Sequence, residues 1–212
     1  MISGLSILIL GWKKLDKKMF LLLLLLISAI ATELIDDFYS PIKNSKTIVY
    51  HSVHIYIHHI YRLAEIFFLS FYYFLLFEKK RNKKIVLIGS IVFLLYFIYD
   101  FVLTPENFFT RKRTDLLIES MLISIYSVVF FIELYQKDSP VDLKYYTHFW
   151  IVFANLIFYS TGTFYNGFIA LLLTKRFSFY YQLSYIMIVL NYLLYSFYII
   201  GFLCYSTKKK LE

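Results

Sequence analysis

Six glycines, three prolines and one cysteine are all that 212 residues contain of the amino acids that punctuate or staple a chain. The lone Cys204 excludes an intrachain disulfide, and no Cys/His spacing suits a structural zinc site. Charge is scarce as well, 17% of residues against about 25% in an average soluble domain. A glycine-rich phosphate loop, a nucleotide motif and a Ser or Cys nucleophile beside a base motif are all missing. These absences exclude a disulfide scaffold, a disordered tail and a soluble enzyme. They leave no catalytic residue, metal or cofactor to expect.

What is present is apolar surface. Hydrophobic residues make up 60% of the chain and aromatics 22%, and the mean hydropathy is +0.65. A helix crossing the hydrocarbon needs about 20 predominantly apolar residues. Runs of this kind occupy 19–35, 52–77, 85–103, 115–135, 147–173 and 179–205. Pro41, Pro105 and Pro140 all fall between them, as they must where lipid cannot replace a lost hydrogen bond. Strand-like alternation is absent and the runs are too long for barrel strands. The expected fold is an all-α membrane protein, one polytopic domain of six full spans over residues 1–212. Residues 2–12 are expected to form a short apolar helix, read as a shortened seventh span, with an interfacial helix ended by the Lys13, Lys14, Lys17, Lys18 cluster as the alternative. Residues 13–31 imitate a signal peptide, with lysines before a leucine run, and are read as a span instead.

Lys and Arg sort the ends of these spans. Residues 13–18, 78–84, 136–146 and the C-terminus hold fourteen, and 36–50, 104–114 and 174–178 hold seven. The first set is expected to be cytoplasmic, with the C-terminus inside. The densest cluster is Lys79, Lys80, Arg81, Lys83 and Lys84. Its plainer reading is insertion topology with attraction to anionic lipid, and its sharper one is docking of a cytoplasmic protein or ribonucleoprotein.

Ionisable groups in hydrocarbon are costly and normally face the bundle interior. The second run carries His51, His54, His58, His59, Arg62 and Glu65, and the spacing 51, 54, 58, 62, 65 keeps one helical face. Arg62 and Glu65, three apart, are able to pair. Glu33, Asp100, Asp115, Glu119, Ser160, Thr161, Thr163, Asn166 and Gln182 fall at similar depth toward the outer side. The inner half is mostly Leu, Ile, Phe and Tyr, so the sequence predicts an outward-open polar pocket above an aromatic plug. The candidate polar core is His54, His58, Arg62, Glu65, Glu119 and Asn166. Interhelical hydrogen bonding is its first reading and a ligand or ion site its second. Metal-assisted catalysis is a third: His54 and His58 have the i, i+4 spacing, but the Glu that follows the first His in zincins is Ile55 here. Residues 159–167, with two glycines among hydroxyls, suit close helix packing, or else a bend lining a cavity.

Several short stretches carry a resemblance: Glu65 to Tyr72, Ile118-Glu119-Ser120, Phe149-Trp150 followed by Tyr159 to Gly162, and Ile200-Gly201-Phe202. In these the chain resembles a family of six- or seven-span membrane proteins of the Bacteroidota. The resemblance implies that Glu65 and Glu119 are shared features and implies no activity; the histidines lie outside it. In size, span count and basic inner face the chain also resembles the small membrane accessories of type VI-B CRISPR effectors. That likeness implies modulation of an antiviral effector, in one class by a membrane pore. The function expected is therefore non-enzymatic, a signalling or accessory protein of the membrane, with homo-oligomerisation open to it. The alternative is a small-solute transporter or intramembrane enzyme using the outward His/Glu pocket.

Overall fold

A computed structural model of the chain describes residues 15–39, 48–103, 114–137, 142–175 and 177–211. Among them are six α-helices and no strand: α1 Lys17–Tyr39, α2 Ile48–Leu76, α3 Lys80–Leu103, α4 Thr114–Tyr135, α5 Thr147–Lys175 and α6 Phe177–Leu211. No proline lies within these helices. The short apolar run 2–12 lies outside the described residues.

Among the described residues, four helices are long and apolar enough to cross a membrane, over Lys17–Ile35, Lys80–Phe101, Thr114–Tyr135 and Tyr185–Thr207. Six full spans were expected; α2 and α5 are not among these four, although both are long enough. Each has 29 residues, about 43 Å of helix against about 30 Å of hydrocarbon. The described part of α2 carries His58, His59, Arg62 and Glu65, and that of α5 carries Asn155, the hydroxyls of 160–163 and Asn166. The basic cluster also differs from expectation. Lys80 to Lys84 are not loop residues but the opening turns of α3, and only 77–79 link α2 to α3.

The helices gather in two compact units. In the first, which extends to Asp115, α1 packs on α2 and α2 on α3. Asp16 caps α1, its carboxylate accepting from the Met19 amide at 2.8 Å. The α2–α3 link is tight: the Phe77 amide donates to Tyr73 O, and the Asn82 and Lys83 amides donate to Lys79 O. Lys83 Nζ lies 5.4 Å from the Phe74 ring at one end, and His59 meets Phe97 edge-on at 6.2 Å toward the other. The pair thus stays antiparallel and in step over about four turns. The buried face of α2 carries His59, Ile66, Leu69, Tyr73 and Leu76, the three- and four-residue spacing of one helical stripe.

The second unit holds α4 from Leu116, with α5 and α6. Phe197 of α6 stacks on Trp150 at 5.8 Å and takes Phe153 edge-on at 5.6 Å. Tyr198 donates to Asn155 Oδ1 at 2.5 Å, and both side chains are buried. On the other side of α5, Phe149 meets Phe131 of α4 edge-on at 5.9 Å, and Ser160 donates to Ser124 Oγ at 3.3 Å. Residues 159–167 are continuous helix, with Gly162 buried and Gly167 exposed. Gly162 is the point of closest approach to α4, since a Cβ there would stand 3.1 Å from Ser120 Oγ.

Candidate functional site

On α4 polarity is distributed in the reverse of a water-facing helix. Its exposed large side chains are Met121, Ile125, Val128, Ile132 and Tyr135, whereas Asp115, Glu119, Ser120, Ser127 and Glu133 are buried. A water-facing helix keeps its charged residues outward. A helix in hydrocarbon turns them to protein, where partners offset the loss of solvent. On α3 the outward face is likewise Leu87, Ile88, Ile91, Val92, Leu94, Leu95 and Ile98.

Many hydroxyls inside the helices are satisfied in a way that suits lipid, the buried Ser70 of α2 being an exception. Ser28, Thr32, Ser90, Ser124, Ser127, Thr161, Thr163, Ser196 and Thr207 each donate to a carbonyl three or four residues back, at 2.7 to 2.9 Å. Thr161 and Thr163, expected to line the polar wall, thus spend their donors on their own helix. Ser160 reaches across to α4 instead.

One charged cluster joins separate elements of the first unit. Arg62 of α2 donates through Nη1 to Asp115 Oδ2, in the first turn of α4. His59 Nδ1 stands 3.4 Å from the same oxygen, and the Asp115 side chain is only 4% exposed. Asp115 also gains from its position, because a carboxylate in a first turn complements the partial positive charge of the helix start. Beside this cluster, a side-chain hydrogen bond links Tyr96 of α3 to Thr114.

Of the expected core residues, the structure makes Arg62 a partner of Asp115, and it leaves His58 and Glu65 half-buried beside it on α2. Among the described residues His59 is the buried histidine, although the 51–54–58–62–65 stripe was expected to face inward. Ile66, Leu69 and Tyr73 select the inward face, and His59 is in phase with them. The His54 side chain lies outside the described residues. In the second unit Glu119 is almost completely buried, and Asn166 is half-buried next to Gly167, which faces Leu117 of α4. Asp115 and His59 are the residues that sequence reasoning left out of the core. A carboxylate opening a helix at the depth of Arg62 was the available signal, but a single chain does not say which helices are neighbours. Among the described residues, no group of three or more His, Cys, Asp or Glu is arranged to hold a metal ion.

At the α2–α3 link, Lys79, Lys80, Arg81 and Lys84 are exposed, Lys83 is half-buried over Phe74, and Asn82 is buried. Compared with models of known protein families, with curated proteins and with solved structures, the chain matches none significantly.

Proposed function

We propose that the chain is a non-enzymatic multi-pass protein of the bacterial inner membrane, acting as a signalling or accessory component through its basic edge. In this reading all six helices cross the bilayer, with the α2–α3 link and the C-terminus cytoplasmic. The inward polarity of α4 carries it: Asp115 and Glu119 are buried while Met121, Ile125, Val128 and Ile132 face outward. α2 packs on α1 and α3, and α5 on α6, and the exposed Phe67 of α2 and Phe164 of α5 suit contact with lipid. The Arg62–Asp115 pair and the back-bonded hydroxyls support a structural role for the intramembrane polar groups. That leaves the exposed cations of 79–84 as the working surface. Modulation of a cytoplasmic effector at the membrane, as in the CRISPR accessories the chain resembles, is the concrete form of this role.

Uptake of a membrane-impermeant dye by bacteria expressing the full chain, with and without the candidate effector, tests the proposal. Wild-type protein is expected to raise uptake, Glu65→Gln and Glu119→Gln to leave the rise intact, and charge reversal across Lys79–Lys84 to abolish it. A tight membrane in every case counts against the proposal. Loss in the glutamine variants with retention in the reversed one points to a transporter or intramembrane enzyme.

A further inference from the structure

We propose that the basic edge where α2 turns into α3 binds the phosphate headgroups of anionic phospholipids in the leaflet it faces. The inference rests on the membrane reading above and names the partner of the same surface. Five cations stand within six positions, and four of them, Lys79, Lys80, Arg81 and Lys84, are exposed. The opening turns of a helix are the wrong place for them on local grounds, because the helix start is itself electropositive and favours anions. α1 obeys that preference with Asp16 on the Met19 amide, whereas the first turn of α3 carries no acidic residue. Glu78 adjoins Lys79 in the link, but Lys80, Arg81 and Lys84 stand against the preference of their own helix, a cost that an anionic surface outside the chain would offset.

Depth identifies the source of that charge. Exposed apolar side chains begin at Leu87 and Ile88, one turn beyond Lys84, and continue along the outward face of α3. The change from charged to lipid-facing surface therefore falls within one helical turn, about 5 Å, which is the distance between a headgroup phosphate layer and the hydrocarbon edge beneath it. Behind the exposed cations the edge is anchored, with Asn82 buried and Lys83 over the Phe74 ring. Basic side chains at this level meet a leaflet surface directly, and Lys and Arg there are strongly attracted to anionic lipid.

The test uses the full chain in neutral detergent micelles doped with phosphatidylglycerol or with phosphatidylcholine of the same acyl chains, and counts retained lipids by native mass spectrometry. Phosphatidylglycerol is expected to be retained and phosphatidylcholine lost. Each cation replaced by Gln should weaken retention about fivefold, so the Lys79→Gln, Lys80→Gln, Arg81→Gln, Lys84→Gln variant should keep none. An Arg81→Gln, Lys84→Gln pair guards against misfolding of the fourfold variant, with circular dichroism and gel-filtration elution as controls. Displacement of the lipid by inorganic phosphate, or tighter binding of an RNA oligonucleotide at the same residues, would overturn the proposal. So would equal retention of both lipids by a chain that resists alkaline carbonate extraction from membranes. A chain that carbonate does extract would instead overturn the membrane reading on which the proposal rests.

Discussion

Gly201 of α6 lies so close to Ile151 of α5 that a methyl group at position 201 would stand 2.8 Å from Ile151 Cγ1 and 3.2 Å from the Thr147 carbonyl oxygen. The isoleucine is able to give a little, but the carbonyl belongs to the backbone of α5. In lipid, where helices gain nothing from leaving water, such close approach is what drives their association. Gly201→Ala is expected to destabilise the α5–α6 pair by about 2 kcal/mol, the overpacking cost exceeding the gain in helix propensity. Thermal unfolding in micelles measures it. Gly167→Ala is the control: its Cβ would meet only Leu117 Cδ1 at 3.6 Å, so stability should hold or rise slightly.

The Arg62–Asp115 pair is buried enough that removing one partner strands the other charge. Arg62→Leu or Asp115→Leu alone should cost about 3 kcal/mol, and the double replacement considerably less, because an apolar pair carries no desolvation penalty. A double-mutant cycle in the same unfolding assay checks this. Additive single and double losses would mean that the two side chains act independently.

Tyr198→Phe removes the donor to Asn155 Oδ1 and leaves the ring in place. An interhelical hydrogen bond within a bundle is worth about 1 kcal/mol, and a loss of that size is expected without change in helix content.

A single-cysteine scan on a Cys204→Ser background tests the crossing of α2 and α5. Phe67 on α2 and Phe164 on α5 are strongly exposed apolar side chains, and cysteines there should resist a charged maleimide from either side of the membrane. A cysteine at Lys84 should react from the cytoplasmic side alone. Ready labelling at residue 67 would mean that α2 lies outside the hydrocarbon.

Helix positions were legible from the chain because they depend on local properties. Long apolar runs with proline kept between them define a membrane helix wherever it packs, and 115–135 coincides with α4 to one residue. Boundaries failed where charge entered a helix: Lys80 to Lys84 look like loop to a hydropathy argument, yet continuous hydrogen bonding beyond the Lys79 carbonyl makes them the start of α3. Hydropathy also counted α2 and α5 as spans equal to the others. Among the described residues, the other four meet that measure.

The candidate core was half legible. Arg62 stood out as a charge in an apolar run, but its partner Asp115 lies 53 positions away on another helix, and the periodic stripe favoured His58 over the buried His59. Composition and periodicity by themselves determined that this chain is helical, apolar and polar on selected faces, because those properties depend on residues within a turn or two of one another. Tertiary structure alone decided which polar groups meet, which histidine is buried, and that Gly201 is a contact point. Those outcomes depend on which helices become neighbours and at what rotation, and only packing of the completed helices sets that.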